Sequence, residues 1–156
     1  MTTTSTLSGE ADLVVLGPET RASDVLEVLG DTTVRYRIEG HDFTAADLSG
    51  ANLAGCVLVN CNFTRADLRK ADLADAQIES CEFVQTTFVR ANLQRTVILN
   101  SGFARADLRE VFGPTAQFSL CDFTGANFWA ARVPQRAFAE CWTNPDQLAQ
   151  LDSRVQ

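Results

Sequence analysis

Residues 66–73 are Ala66-Asp67-Leu68-Arg69-Lys70-Ala71-Asp72-Leu73. The unit is five residues long: small, Asp or Asn, large apolar, then two polar. Working outward from this stretch, the large apolar position recurs every fifth residue from Phe43 to Phe138, broken only at Gly113. Small residues such as Ala46, Cys81 and Ala106 sit two positions before it. A period of five fits neither an amphipathic helix nor a half-buried strand. Two inward positions flanking one outward residue describe a short extended piece, and the next two residues turn a corner. A fixed short repeat of this kind is the mark of stacked, near-identical turns.

A second period of twenty sorts the apolar positions by type. One column is Phe43, Phe63, Phe83, Phe103 and Phe123. The next is Leu48, Leu68, Phe88, Leu108 and Phe128; the third is Leu53, Leu73, Leu93, Gly113 and Val133. The fourth is Leu58, Ile78, Ile98, Phe118 and Phe138. The small slots give a further column: His41, Cys61, Cys81, Ser101, Cys121 and Cys141. Four five-residue sides therefore close one coil, and like residues stack above like. Phe43, Phe63, Phe83, Phe103, Phe123, Leu48, Leu68, Phe88, Leu108 and Phe128 are the expected core.

The repeat resembles the A(D/N)LXX motif of the pentapeptide-repeat family, and residues 41–140 fit it without a break in register, as 20 units and five coils. The resemblance implies an all-β solenoid: a right-handed, quadrilateral parallel β-helix. Coils spaced by roughly 4.8 Å would make five of them rise about 24 Å. Solenoid ends need caps, because an end coil otherwise exposes apolar core and an open edge.

The ends of the chain carry such candidates. Residues 1–8 read as a flexible Thr/Ser arm, and 9–40 as a small α/β cap. Asp12–Leu16 has a strand pattern, Ser23–Leu29 a helical one with Ser23 as N-cap and Gly30 as its stop. Val34, Tyr36 and Ile38 then alternate with charged residues as in a strand, and Ile38 is in phase with the Leu58 column. In 141–156, Cys141 and Trp142 close the last coil. Asn144-Pro145 opens a short helix, with Leu148 and Leu151 on one side.

The net charge of −7 disfavours direct nucleic-acid binding. The repeat itself is nearly balanced, with eleven acidic and nine basic residues in 41–140. No run approaches the roughly 20 apolar residues of a membrane span. The N-terminus has no signal-peptide pattern, so a cytoplasmic location is expected. Five cysteines in that setting predict buried thiols rather than disulfides.

Catalytic, metal and cofactor sites are not expected. His41 and Cys61 both point inward, where a substrate does not reach. One cysteine per coil is a ladder, not a converging ligand set. Asp42, Asp47, Asp67, Asp72, Asp107 and Asp122 are motif positions whose short side chains bond nearby backbone.

Four outward features depart from the repeat. Val57, Val59, Val97 and Leu99 flank the inward residues of one side and suggest an apolar contact patch. Phe112 stands beside Gly113-Pro114, and either fills the missing apolar slot through a bulge or lies exposed beside Arg132. Trp129 sits one coil beyond Arg109, either in a cation–π stack or as a partner anchor. Arg69, Lys70, Arg90 and Arg109 lie on one side among acidic neighbours. These point to a non-enzymatic module that docks an unidentified protein partner, as a monomer or as a homodimer through the C-terminal end or the apolar face. The resemblance implies an alternative, since some family members mimic duplex DNA, bind DNA gyrase or topoisomerase IV and protect against topoisomerase poisons.

Overall fold

Four sides of five residues close each turn, and every side meets its copy twenty residues on. In the computed structural model, which describes residues 13–18, 20, 22–29 and 34–152, Asp42 bridges Asn62, Asp47 bridges Asp67, and Asn52 bridges Asp72, all in parallel. The fourth side has longer strands and builds a parallel sheet of seven, in chain order. These are β1 (Leu13–Leu16), β2 (Arg35–Glu39), β3 (Val57–Val59), β4 (Gln77–Glu79), β5 (Val97–Leu99), β6 (Gln117–Asp122) and β7 (Glu140–Trp142). Ile38, Leu58, Ile78, Ile98 and Phe118 are in register across it. The solenoid has about six turns rather than five. The difference arises because β2 joins the fourth side ahead of residue 41 and β7 begins a further turn after residue 140.

The corner chemistry explains the motif. At the turn after Phe63, Arg65 has φ +60°, and the Ala66 N–H donates to the Phe63 carbonyl at 2.9 Å. A positive φ at the third residue of a hydrogen-bonded four-residue turn is the type II arrangement. The Asp or Asn of each unit steadies the next corner. Asp67 Oδ1 accepts from the Arg69 N–H, and Asn62 Oδ1 from the Thr64 N–H, each at 3.0 Å. Short polar side chains suit this slot because they reach the backbone two residues on.

Inside, the ten core residues named above are all buried. Ring centroids in the phenylalanine column are 4.9, 5.0, 4.8 and 4.8 Å apart from Phe43 to Phe123. That spacing equals the distance between neighbouring strands. His41 stacks on Phe43 at 5.7 Å and heads the ladder. Thr86 and Thr96 occupy buried small slots, and their hydroxyls donate to the carbonyls of Phe63 and Leu73 in the coil before.

At Gly113 the missing side chain is made up within its own coil. Val111 fills the slot that Ala71, Ala91 and Ala131 hold in other coils, and it is fully buried. A Cβ placed on Gly113 would lie 3.1 Å from the Ala116 Cβ and 3.2 Å from the Leu93 Cβ. Phe112 does not fill the gap through a bulge; it points outward and bridges Asn92 and Arg132 in regular register.

At the N-terminal end, α1 (Ala22–Val28) and the residue after it bury Val25 and Leu29 in the same core cluster as Phe43 and Leu48. Ser23 lies inside the helix and donates to Asp24 Oδ1 at 3.1 Å, so it is not the N-cap. Ser23 stands two residues too late for that role. Residues 1–8, Asp12 and Gly30 fall outside the described residues.

At the C-terminal end, the 3-10 helix Gln135–Phe138 places Phe138 on Phe118 at 5.1 Å. The helix α2 (Pro145–Leu148) then lies over the last coil, with Leu148 and Leu151 packed against the core. Asn144 is its N-cap, in a reciprocal box with Gln147.

Candidate functional site

The inward polar groups are bonded within and between the coils. His41 is buried, with Nδ1 3.0 Å from the Glu39 carbonyl oxygen and Nε2 3.0 Å from that of Thr20. It ties the N-terminal segment to the first coil. The thiols of Cys61, Cys81 and Cys121 each lie 3.4 Å from the carbonyl oxygen two residues earlier. Hydrogen bonding to the Cys61 sulfur, with burial, pushes the Cys81 thiol up. The same two effects, with Cys141 as partner, push Cys121 up. Cys141 is half-buried, and the Cys121 thiol beside it brings it down to about 7. Among the described residues, no three His, Cys, Asp or Glu side chains gather as a metal ion would require. None of their buried side-chain nitrogen or oxygen atoms lacks a hydrogen-bond partner.

Three of the four outward cations on the second side are paired with acids. Arg69 Nε donates to Asp67 Oδ2 at 2.8 Å, Arg109 Nε to Asp107 Oδ1 at 2.8 Å, and Arg90 Nε to Glu110 Oε2 at 2.8 Å. The Arg69 guanidinium holds the Asp67 carboxyl below its ordinary value. Arg109 therefore turns to Asp107 and leaves Trp129 without a cation–π partner among the described residues.

Val57, Val59, Val97 and Leu99 do share the fourth side, but β4 separates them. Its exposed Gln77 and Glu79 lie between the two valines of β3 and the pair on β5. The β5 pair instead borders a groove of about 590 Å³ with Pro114, Gln117, Pro134 and Ala137.

Phe112, Trp129 and Arg132 come together. They line a depression of about 440 Å³ at the corner between the second and third sides, with Arg90, Glu110 and Asp152 around it. Trp129 is 60% exposed and Phe112 39%. Arg132 Nε reaches Asp152 Oδ2 at 3.7 Å.

The sequence reading passes over Leu120 and takes Trp142 only as closing the last coil; both are exposed. Leu120 (53% exposed) occupies the corner slot held by Gly40, Asn60, Ser80 and Asn100 in earlier coils. Trp142 (62% exposed) occupies the outward slot of Asp42, Asn62, Glu82 and Asp122. Sorting the outward slots by twenty, as the inward ones were sorted, exposes both.

Comparison with known proteins agrees with this geometry. A trypsin-treated variant of QnrB1, a plasmid-mediated fluoroquinolone resistance protein, matches with a TM-score of 0.59 and 24% identity, over 63% of this chain and 52% of that one. A second trypsin-treated QnrB1 variant gives 0.50 and 22%, over 64% and 51%. A pentapeptide repeat protein from the Arabidopsis thaliana thylakoid lumen gives 0.44 and 21%, over 69% and 72%. The chain thus spans about half the length of these two trypsin-treated variants. At these identities the likeness is one of fold. No curated protein matches the sequence. The family model for pentapeptide repeats matches residues 46–85 and 71–112, in eight copies. With the same five-residue unit running on either side of that match, the chain belongs to the pentapeptide-repeat family.

Proposed function

We propose that the protein is a non-enzymatic interaction module that docks a protein partner on the corner formed by Phe112, Trp129 and Arg132. One observation carries this reading: two exposed aromatic rings and an arginine line a single depression. The neighbouring cations are already paired with acids, so ring contacts distinguish this corner. Trp and Arg supply most of the energy in typical interfaces, which fits such an anchor. The hydrogen-bonded cover over the last coil favours a monomer over an end-to-end dimer. Five unpaired cysteines fit a cytoplasmic location. The test is affinity capture from the native host, comparing wild type with Trp129→Ala and Val97→Asp. This reading expects one partner lost with Trp129→Ala and kept with Val97→Asp. A partner retained by Trp129→Ala moves the docking surface elsewhere.

A second reading is a duplex-DNA mimic that engages DNA gyrase or topoisomerase IV. It is supported by the net charge of −7 and by Asp42, Glu82 and Asp122 in one outward row. The paired arginines on the other sides weigh against it. Supercoiling by purified gyrase decides: inhibition at micromolar protein supports the mimic, and unchanged supercoiling rejects it.

A further inference from the structure

The cysteine column is divided by Ser101 into two stacked pairs, Cys61 with Cys81 and Cys121 with Cys141. The pairs differ in two ways that matter for oxidation. Cys61 and Cys81 are both buried, whereas Cys141 is half-exposed on β7. The ladder around Cys61 and Cys81 is regular on both flanks, since Val59 pairs with Glu79 and Asn62 bridges Glu82. Around Cys121 and Cys141 the register shifts between Ser119 and Asp122.

Both differences favour the second pair. A disulfide needs Cα atoms about 4.4–6.8 Å apart, which stacked coils supply, but Cβ atoms only about 3.8 Å apart. Side chains stacked in strict register hold their Cβ atoms at the inter-strand spacing, too far for the bond. A shifted register gives the backbone the slack to close that gap. A peroxide reaches the half-exposed sulfur and not the buried ones.

We propose that Cys141 is a hydroperoxide-reactive thiol, resolved by Cys121, so that oxidation closes one disulfide between the last two coils. In the first step the Cys141 sulfur attacks one peroxide oxygen. The O–O bond breaks and an S–O bond forms, leaving Cys141 as a sulfenic acid, and the displaced hydroxide takes the proton released by the Cys141 thiol and leaves as water. In the second step the Cys121 sulfur attacks the Cys141 sulfur. The S–O bond breaks, and the hydroxyl leaves as a second water carrying the Cys121 proton. Two thiols are oxidised and one peroxide is reduced. The hydrogen bond from the Cys121 thiol, which brings Cys141 down to about 7, supplies thiolate for the first step. It also places the resolving sulfur against its target.

The test treats the full-length protein with hydrogen peroxide, caps the remaining thiols by alkylation under denaturing conditions, and maps the products by mass spectrometry. The proposal expects a single Cys121–Cys141 bridge, with Cys56, Cys61 and Cys81 alkylated. Cys121→Ser should lose the bridge and leave a sulfenic acid on Cys141 that dimedone traps. The column accepts serine, as Ser101 shows by donating to the Leu99 carbonyl and accepting from the Cys81 N–H. If Cys121→Ser still fails to fold, Cys141→Ser serves in its place, and it should leave all four remaining thiols free. A Cys61–Cys81 bridge, an unreacted Cys141, or direct passage of Cys141 to sulfinic acid with Cys121 present each overturns the proposal.

Discussion

Fourteen of the described residues other than glycine hold a positive φ, from Ala45 to Ala130, and none of them is β-branched. The fifth position of the unit is therefore restricted by backbone as well as by polarity. Left-handed backbone costs an ordinary residue roughly 1 kcal/mol, and more where branching at Cβ crowds the chain. Thr115 is instructive: the one β-branched residue at such a corner does not take positive φ. Gln85, at φ +58°, permits a direct test. Gln85→Ala should change the urea-unfolding free energy by less than about 0.5 kcal/mol. Gln85→Val should destabilise by about 1–2 kcal/mol, although the Gln85 side chain is exposed and accepts only from Arg65 among the described residues. Equal effects of the two would mean that the corner is free to change its backbone. The inward slots were legible in the sequence because burial sorts residues by size and polarity. The corner restriction was not read there, because what it selects is the absence of a residue class.

Among the elements, α2 shows what a cap must supply. In earlier coils the Ala106 carbonyl accepts from the Asn127 N–H of the next coil. Ala126 has no such neighbour, and the Gln147 side chain takes its place. Its Nε2 donates to Ala126 at 2.9 Å and to Phe123 at 2.7 Å, while Oε1 accepts from the Asn144 N–H at 2.9 Å. Gln150 and Asp152 continue the substitution: the Ala130 N–H donates to Gln150 O, and the Asp152 N–H to Ala131 O. Gln147→Ala should cost about 1–3 kcal/mol, since it strands the Ala126 carbonyl and leaves that of Phe123 with the Ala126 N–H alone. Hydrogen exchange should quicken at the Phe128 and Ala130 amides and stay unchanged at Phe83 and Phe88. Uniform quickening, or none, would show that the side chain is not the cap. Asn144-Pro145 announced this helix in the sequence, because an N-cap and a proline act on their own neighbours. The role of Gln147 stayed hidden, because it depends on a coil more than twenty residues away. The Ser23 misreading has a related origin: an offset of one or two residues decides a cap, and helix ends are not fixed more finely than that by pattern alone.

For the whole molecule, the outward carboxylates set the behaviour in acid. Hydrogen bonds from the Thr44 and Ser49 hydroxyls hold Asp42 and Asp47 below 3.8, and the Arg95 side chain does the same for Asp75. A folded-state value below the unfolded one means stability that is present above the unfolded pKa and lost as pH falls through the folded one. The urea midpoint should therefore hold from neutral pH to about 5 and decline below about 4. Asp47→Asn should reduce the decline, because asparagine keeps the corner bond, as Asn62 does with Thr64. An undiminished decline in that variant would place the acid sensitivity elsewhere. The corner of Phe112, Trp129 and Arg132 was legible only in pieces: each broke the repeat, but their shared depression needed the turn that brings coils together. The four-residue apolar patch failed as a unit because Gln77 and Glu79 enter between its halves. The central claim remains that residues twenty apart lie directly over one another. A double-mutant cycle on Phe83→Leu and Phe103→Leu, whose rings are 4.8 Å apart, tests it in solution. The account predicts a coupling of about 0.5–1.5 kcal/mol for that pair. For Phe63→Leu with Phe103→Leu, two coils apart, it predicts additivity within about 0.5 kcal/mol. Additivity in the first pair, or equal coupling in both, would contradict the stacked column.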